Sequence, residues 1–422
     1  MFSKWQWLVT RLTHTLWVRA ALFALLGIAA ALLAAALQGS LPIELELELG
    51  ENAVGTILEI LASSMLAVTT FSLSVMVMAY SAATNNVTPR ATRLLMQDTT
   101  TQNVLGTFIG TFLFSLVGIT ALSTQTYDER GRAILFLVTL LVILLVVVTI
   151  LRWIQHLSHF GRVGDTTGRV ELVTLSALKD RVCHPGLGGI AVPVAEFSPP
   201  ASARPVHARS TGLVQHLDMA ELSELAEAHD WQVWVASQPG AFVSGPRPLA
   251  WIQGADDDRL DEADEAVRGV FTLGNDRSFD QDPRFGLSVL AEIASRALSP
   301  AINDPGTAID VLGRAVRILS YYSEKSIGEQ QCETVYPRIR LPALELDDLF
   351  DDIFAPIARD GAGLIEVQLR LQKGLLLLAG QGAELSRCAQ RQAVRALTHA
   401  ESALLLEEDR QRLRDLVAGY QG

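Results

Sequence analysis

The 422-residue chain is 49% hydrophobic and only 19% charged, with a mean hydropathy of +0.28 and a net charge of −12. That balance excludes a disordered chain and is too apolar for an ordinary soluble protein. Residues 1–155 carry eight Lys or Arg and eight Asp or Glu, so the whole excess of negative charge lies in 156–422. An acidic half lacks the positive footprint that displaces counterions from phosphate, which excludes nucleic acid as a partner. Cys183, Cys332 and Cys388 are scattered without a C-x-x-C pair and read as reduced thiols, not a disulfide framework.

Four uncharged runs, 20–43, 60–89, 99–127 and 133–151, dominate the front third. A hydrocarbon core of roughly 30 Å needs about 20 apolar helical residues, so membrane spans are expected near 18–37, 54–79, 104–123 and 133–153. The first stretch is too long, and followed by too many others, to be a removable signal. Lys4, Arg11 and Arg19 precede the first span, Arg90 and Arg93 follow the second, and Arg152, Arg162 and Arg169 follow the fourth. The 38–52 loop has four glutamates and no basic residue. Arg130 and Arg132 weaken this bias without reversing it, so both termini are expected in the cytoplasm of a multi-pass protein.

Within the spans, Gly106-x-x-x-Gly110, with Gly27, Ala31 and Ala34 in the first span, permits close approach of helix backbones. It reads either as packing inside one four-helix unit or as a dimer seam. In the second span Thr56, Ser63, Ala67, Thr70, Ser74 and Ser81 recur on one helix face, with Glu59 at its edge. Intramembrane carboxylates face protein or water by default, so Thr56, Glu59, Ser63, Thr70 and Ser74 are candidate conduit-lining residues. The alternatives are small-residue packing, hydroxyls bonded back to their own helix, and a Glu59 that reaches the interface.

Beyond the fourth span, helical spacing over 152–182 predicts that the helix continues as a stalk. His156 and His159 on it form a headgroup-level pair rather than a metal site. Prolines and glycines over 184–209 mark a linker with one short strand at 189–195. Strands are expected at 213–217 and 231–236, a helix at 219–229, and a tight β-hairpin over Pro239–Ile252. The hairpin faintly resembles those of lipoyl carriers. No lysine stands between Lys179 and Lys325, so no lipoylated or biotinylated arm can be built there.

An acidic helix over 256–270 leads into the densest polar stretch, Asn275-Asp-Arg-Ser-Phe-Asp280-Gln-Asp-Pro-Arg284. After a helix comes Ser299-Pro-Ala-Ile-Asn-Asp304-Pro-Gly-Thr307 and a further helix. Asp282-Pro283 and Asp304-Pro305 supply helix N-caps. Asp276, Arg277, Asp280, Gln281, Asn303 and Asp304 form a candidate polar cluster, read either as a structural knot bracing two loops or as a site for a small ligand or cation. The spacing is not that of a calcium loop. A strand is expected at 334–341, and the acids from Glu345 to Asp352 read as a solvated helix start.

The stretches Phe71–Asp98, Leu105–Gly110, Gly212–Asp218 and Pro239–Val243 are characteristic. So is the block from Leu273 to Ala308 with its Ala297-Leu-Ser-Pro-Ala-Ile-Asn-Asp-Pro305 motif. Together they resemble the bacterial predicted-membrane-protein family known as domain of unknown function 2254 over nearly the whole chain. Val87-Thr-Pro-Arg90 stands where that family often has Phe-Ser-Pro-Arg. The resemblance implies a bacterial inner-membrane protein with a cytoplasmic domain and brings no activity, substrate or catalytic residue.

The expected fold is an α-helical polytopic membrane domain with four transmembrane helices over 1–155. A helical stalk and linker over 156–209 follows, then a mixed α+β cytoplasmic domain over 210–422, with a small β-hairpin module near 210–253 and mostly helix beyond. No catalytic or phosphate-binding motif is present, so no enzyme activity, metal or cofactor is expected. Two functions remain open. One is a homo-oligomeric channel or permeation protein in the lipid bilayer, passing a small ion or solute and regulated by its cytoplasmic domain. The other is a membrane-anchored sensor or scaffold that binds a ligand or partner through that domain.

Overall fold

The computed structural model describes residues 16–36, 53–96, 98–124, 127, 129–158, 160–254, 260–327 and 334–418. They fall into two compact units. One takes the described residues up to Asn85 together with Thr92–Asp165, the other Asn86–Ala91 and those from Thr166 on.

The first unit is helical, built from α1 (Leu16–Ala36), α2 (Ala53–Asn86) up to Asn85, α3 (Pro89–Met96) from Thr92 on, α4 (Thr99–Ser123) and α5 (Glu129–Leu157). Three of them, α2 over Ala53–Thr84, α4 and α5, are long and apolar enough to cross a membrane, and α1 supplies a shorter apolar stretch, Trp17–Leu33. At ~1.5 Å per residue the 25 residues of α4 extend beyond a ~30 Å hydrocarbon core. The expected spans at 54–79, 104–123 and 133–153 lie inside these three helices, and the one at 18–37 overlaps α1.

Glycines explain how α1 and α4 meet. A Cβ on Gly110 would lie 2.6 Å from the backbone oxygen of Phe23, one on Gly106 would lie 2.7 Å from the Phe23 ring, and one on Gly27 would strike the Gly110 carbonyl. The Gly-x-x-x-Gly motif therefore serves packing within this unit. Tyr127 closes one end of it by donating from its hydroxyl to Ala31 O at 2.7 Å. Near the end of α5 the Trp153 indole donates to Ser72 Oγ at 3.0 Å and ties α5 to α2.

The expected continuous stalk is interrupted. Helix α5 stops at Leu157, Gly161 adopts φ +79°, and α6 (Val163–Cys183) begins afresh. Helical spacing alone did not reveal the break, because Gly161 sits in a run whose polar and apolar residues keep the α-period on both sides. From Thr166 onward α6 belongs to the second unit, where Thr166, Val170, Thr174, Leu178 and Arg181 are buried. It is a core helix there, and Gly286 leaves room for Thr174 against it.

Two sheets follow. Strands β1 (Gly189–Val192), β2 (Arg204–His207), β4 (Gln232–Val235), β6 (Pro248–Gln253) and β8 (Tyr336–Pro342) form a five-stranded sheet in the order β1-β8-β4-β6-β2. Here β8 runs parallel to both β1 and β4, while β6 is antiparallel to β4 and β2. Strands β3 (Gly212–Leu217), β5 (Phe242–Val243) and β7 (Phe271–Gly274) form an antiparallel three-stranded sheet in the order β5-β3-β7. Helices α7 (Met219–Ala228) and α8 (Leu260–Val270) bury Leu222, Ala226 and Val267 in one core with Val214, Val233, Ile252 and Ile339.

The expected hairpin over Pro239–Ile252 is not formed. Its two arms diverge into different sheets, β5 pairing with β3 and β6 with β4 and β2. The glycines and proline made the turn legible, but a turn does not dictate that its flanks pair, and each flank found a partner elsewhere.

The remaining helices are α9 (Pro283–Ala297), α10 (Pro305–Ile327), α11 (Leu346–Asp360), α12 (Ile365–Ala379), α13 (Ala383–Ala403) and α14 (Glu407–Ala418). Their apolar stripes bury Leu290, Leu312, Phe350, Phe354, Leu371 and Leu375. The acids that open α11 are not simply solvated. Arg284 donates to Asp352 at 2.7 Å and also pairs with Asp348, while Arg387 donates to Asp347 at 2.9 Å. Sequence proximity to a helix start does not disclose cations that arrive from other helices.

Glu171 on α6 joins α10 by accepting from Arg314 Nη1 at 2.6 Å and from Arg317 Nε at 2.7 Å. Burial acts to raise the Glu171 carboxyl, but the hydrogen bonds and charges of Arg317 and Arg314 outweigh it and hold the group below the ordinary glutamate value of 4.5. A carboxyl held low binds fewer protons folded than unfolded. Its contribution is therefore complete above pH ~4.5 and fades as pH falls through the folded value. Glu171→Gln is expected to melt below wild type at pH 7, with the gap closing under pH ~4.5; thermal melts of the purified protein in detergent across that range check this.

Candidate functional site

On α2 the predicted face is intact and points out of the helical unit. Thr56, Glu59, Ser63, Ala67, Thr70, Ser74 and Ser81 are all exposed, while Val54, Leu58, Leu61, Ala62, Met65, Ser72, Met76 and Ala83 are buried on the opposite side. The hydroxyls are satisfied locally: Ser63 Oγ donates to Glu59 O at 3.0 Å, Thr70 Oγ1 to Ala67 O at 2.9 Å and Ser74 Oγ to Thr70 O at 2.9 Å. Such back-bonding removes the donor penalty yet leaves the oxygen lone pairs facing outward. Ile60, Leu66, Phe71, Leu73, Val77 and Met78 of α2 are exposed beside these polar groups, so its outer surface is mixed, whereas that of α5 exposes the aliphatic Leu137, Leu141, Leu144, Leu145, Val148 and Leu151.

The polar cluster of the second unit resolves into two separate places. Around the start of α9, Arg277 donates to both oxygens of Asp282, Nε at 2.8 Å and Nη2 at 2.9 Å. Asp282 Oδ1 also accepts from Phe285 N at 3.1 Å, the expected N-cap ahead of Pro283. Gln281 mimics a strand partner for β3, its Oε1 accepting from Leu217 N at 2.9 Å and its Nε2 donating to Leu217 O at 3.1 Å. The backbone oxygen of Asp276 accepts from Gln215 Nε2 at 2.8 Å, and Asp280 accepts from Ser278 Oγ at 2.7 Å in an exposed turn.

Asn303 and Asp304 lie at the other end of α9. The 15 residues of that helix separate them from Asp282 by roughly 22 Å. Asn303 holds φ +51° in the turn between α9 and α10. Asp304 caps α10 by accepting from Thr307 N at 3.1 Å and Thr307 Oγ1 at 2.6 Å. Those bonds, the hydroxyl foremost, hold its carboxyl below the usual aspartate range. The two loops therefore do not converge on one site.

The structure adds residues that the sequence left unmarked. Arg181 of α6, 6% exposed, bonds to Gln238, whose Nε2 donates to Pro342 O at 2.6 Å. Burial pulls the Arg181 guanidinium down to about 10 against the supporting charge of Asp282. Gly240, at φ +91°, is required beside it, since a Cβ there would strike Asp282 and lie 3.2 Å from Arg277 Nη2. Asp282 thus pairs with Arg277, lends its charge to Arg181 and packs against Gly240 at the start of α9. Only its partner five residues away is visible in the sequence.

A second missed cluster lies in the helical unit. Asp98 caps α4 by accepting from Thr101 N at 2.8 Å and Thr101 Oγ1 at 2.6 Å, and its Oδ2 stands 2.9 Å from His156 Nε2. The sequence places His156 at headgroup level with His159; His159 and Cys332 lie outside the described residues. Among the described residues no group of three His, Cys, Asp or Glu is placed to hold a metal ion.

The chain is 27% identical over 283 residues to the uncharacterized proteins Mb1321c of Mycobacterium bovis and Rv1290c of Mycobacterium tuberculosis, covering 65% of this chain and 53% of each relative. It thus spans about half the length of the curated relatives it matches. No solved structure matches it. Residues 13–376 match the model of a family described as predicted membrane protein, domain of unknown function 2254, and the chain belongs to that family.

Proposed function

We propose that the protein is a homo-oligomeric permeation protein of the bacterial inner membrane, its pathway walled by the exposed face of α2 from each copy. One observation carries this: the outward surface of α2 sets a carboxylate and several hydroxyls in a stripe among its exposed apolar side chains, whereas that of α5 from Leu137 to Leu151 is aliphatic. Hydrocarbon suits the second surface. A carboxylate facing lipid is costly to insert, less so near a helix end such as that of Glu59 than at the bilayer centre, and water or another protein surface removes that cost. In this reading α1 is the fourth span, since its 21 residues extend about 32 Å. The Lys and Arg distribution supports a topology with both termini and the second unit in the cytoplasm, and in this reading the second unit regulates the pathway.

The ligand-sensor alternative draws less support. Arg277 and Gln281 spend their hydrogen bonds on Asp282 and Leu217, and Asn303 lies at the far end of α9.

Purified protein in liposomes is expected to pass ions or small solutes. Ser74→Leu should reduce flux at least tenfold, and Leu144→Ala on α5 should leave it near wild type. Cysteines placed at Ser63 should cross-link between copies in the membrane. Flux absent under every gradient, or a strict monomer in detergent and in liposomes, overturns the reading.

A further inference from the structure

The Asp98–His156 pair is built into a closed circuit of contacts that the permeation reading does not use. His156 stands in the last turn of α5. Its ring stacks on Trp153, with centroids 5.7 Å apart at 24°, and tilts against Phe160 at 5.1 Å. Phe160 meets Tyr80 of α2 at 5.8 Å. The Tyr80 hydroxyl donates to Leu95 O of α3 at 3.3 Å, and Leu95 O also accepts from Asp98 N at 3.1 Å. The circuit thus runs through the ends of α2, α3, α4 and α5 and returns to the carboxylate where it began.

The donors fix the protonation chemistry. Thr101 gives its hydroxyl hydrogen to Asp98 Oδ2 at 2.6 Å, and its oxygen stands 3.4 Å from His156 Nε2. A carboxylate and an occupied hydroxyl both ask Nε2 for a hydrogen, so the ring's charge is decided at Nδ1. Of the other charged groups at this end, Arg19 donates to Asn103 Oδ1 at 2.8 Å, Arg93 is on α3, Arg152 is on α5, and Arg162 and Asp165 follow it. Tyr80 is the titratable group contributed by α2. Asp98 supplies the opposite charge in contact with the ring.

We propose that Asp98, Thr101 and His156 form a proton-responsive latch that pins the end of α5 to the start of α4. With the imidazole protonated, a charge-assisted bond holds the circuit closed. When Nδ1 loses its proton the Nε2–H bond persists as a weaker, singly charged contact and the circuit loosens. Histidine is the side chain suited to such a change near neutral pH. Because the circuit includes the end of α2, the latch would set the α2 face. That regulatory consequence rests on the permeation reading, but the latch itself does not.

Two measurements on the full-length protein in detergent test it. The emission of Trp153, taken as wild type minus Trp153→Phe, should fall about twofold between pH 8 and pH 5.5, because a stacked imidazolium quenches indole. Over the same interval amide exchange across 154–162, corrected for intrinsic rates, should slow roughly tenfold, the scale separating charge-assisted from neutral bonds. His156→Gln should abolish both responses. Asp98→Asn, which keeps a capping side chain, should keep the quench and lose the exchange response. His159→Gln should change neither. A wild-type exchange response in His156→Gln or Asp98→Asn, or Trp153 emission insensitive to pH, overturns the latch. If both responses hold while liposomes show no flux, the permeation reading fails and the latch stands.

Discussion

Asp282→Ala is expected to weaken the second unit by about 3–5 kcal/mol, the range found when one partner of a buried ion pair is removed. Asp282 is 4% exposed and carries three duties at once: two bonds from Arg277, the cap on Phe285 N, and the countercharge for Arg181. Truncation leaves the Arg181 guanidinium buried with Gln238 as its hydrogen-bond partner among the described residues. Asp282→Asn retains the cap but not the charge and should fall between wild type and Ala. Asp282→Ala combined with Arg277→Met should recover part of the loss, since one stranded charge is then removed. Urea unfolding in detergent, followed through Trp231, Trp234 and Trp251, reads all three, because those indoles lie in this unit. A loss under ~1 kcal/mol for Asp282→Ala would mean that the arginines are hydrated in solution.

Gly110→Leu should detach α1 from α4. The obstruction is the Phe23 backbone oxygen at 2.6 Å from the would-be Cβ, and a backbone atom cannot rotate away as a side chain can. The helices must separate or shift along their whole contact, so a loss of about 2–3 kcal/mol is expected, at the upper end for overpacking. Gly55 is the control, since a Cβ there meets nothing within 4 Å. Gly55→Leu should melt like wild type and Gly110→Leu well below it. Equal melting of the two would remove the glycine contact as the basis of α1 packing.

What was legible in the sequence was whatever depends on near neighbours. Uncharged runs fixed the places of α2, α4 and α5, because a long apolar helix needs no distant partner to be recognised. Asp282-Pro283 and Asp304-Pro305 announced helix starts through local stereochemistry, and the α2 face followed from period alone. What failed to show were pairings across long loops. Asp98 meets His156 fifty-eight positions on, and Arg181 reaches Gln238 fifty-seven positions on. Nothing in either neighbourhood hints at the other. The polar block illustrates both sides: Arg277 with Asp282 is a five-residue matter, whereas the separation of Asn303 from it required knowing that the 15 residues of α9 run as one helix between them.

The position of β8 has a consequence for biogenesis. Tyr336–Pro342 fills the slot between β1 and β4, pairing Ile190 with Arg340 and Val233 with Ile339. Until the ribosome has released that segment, two parallel edges stand unpaired beside a gap one strand wide, an arrangement that invites intermolecular pairing. Nascent chains halted before Tyr336 should therefore be chaperone-bound or aggregated, however well their apolar helices have already entered the bilayer.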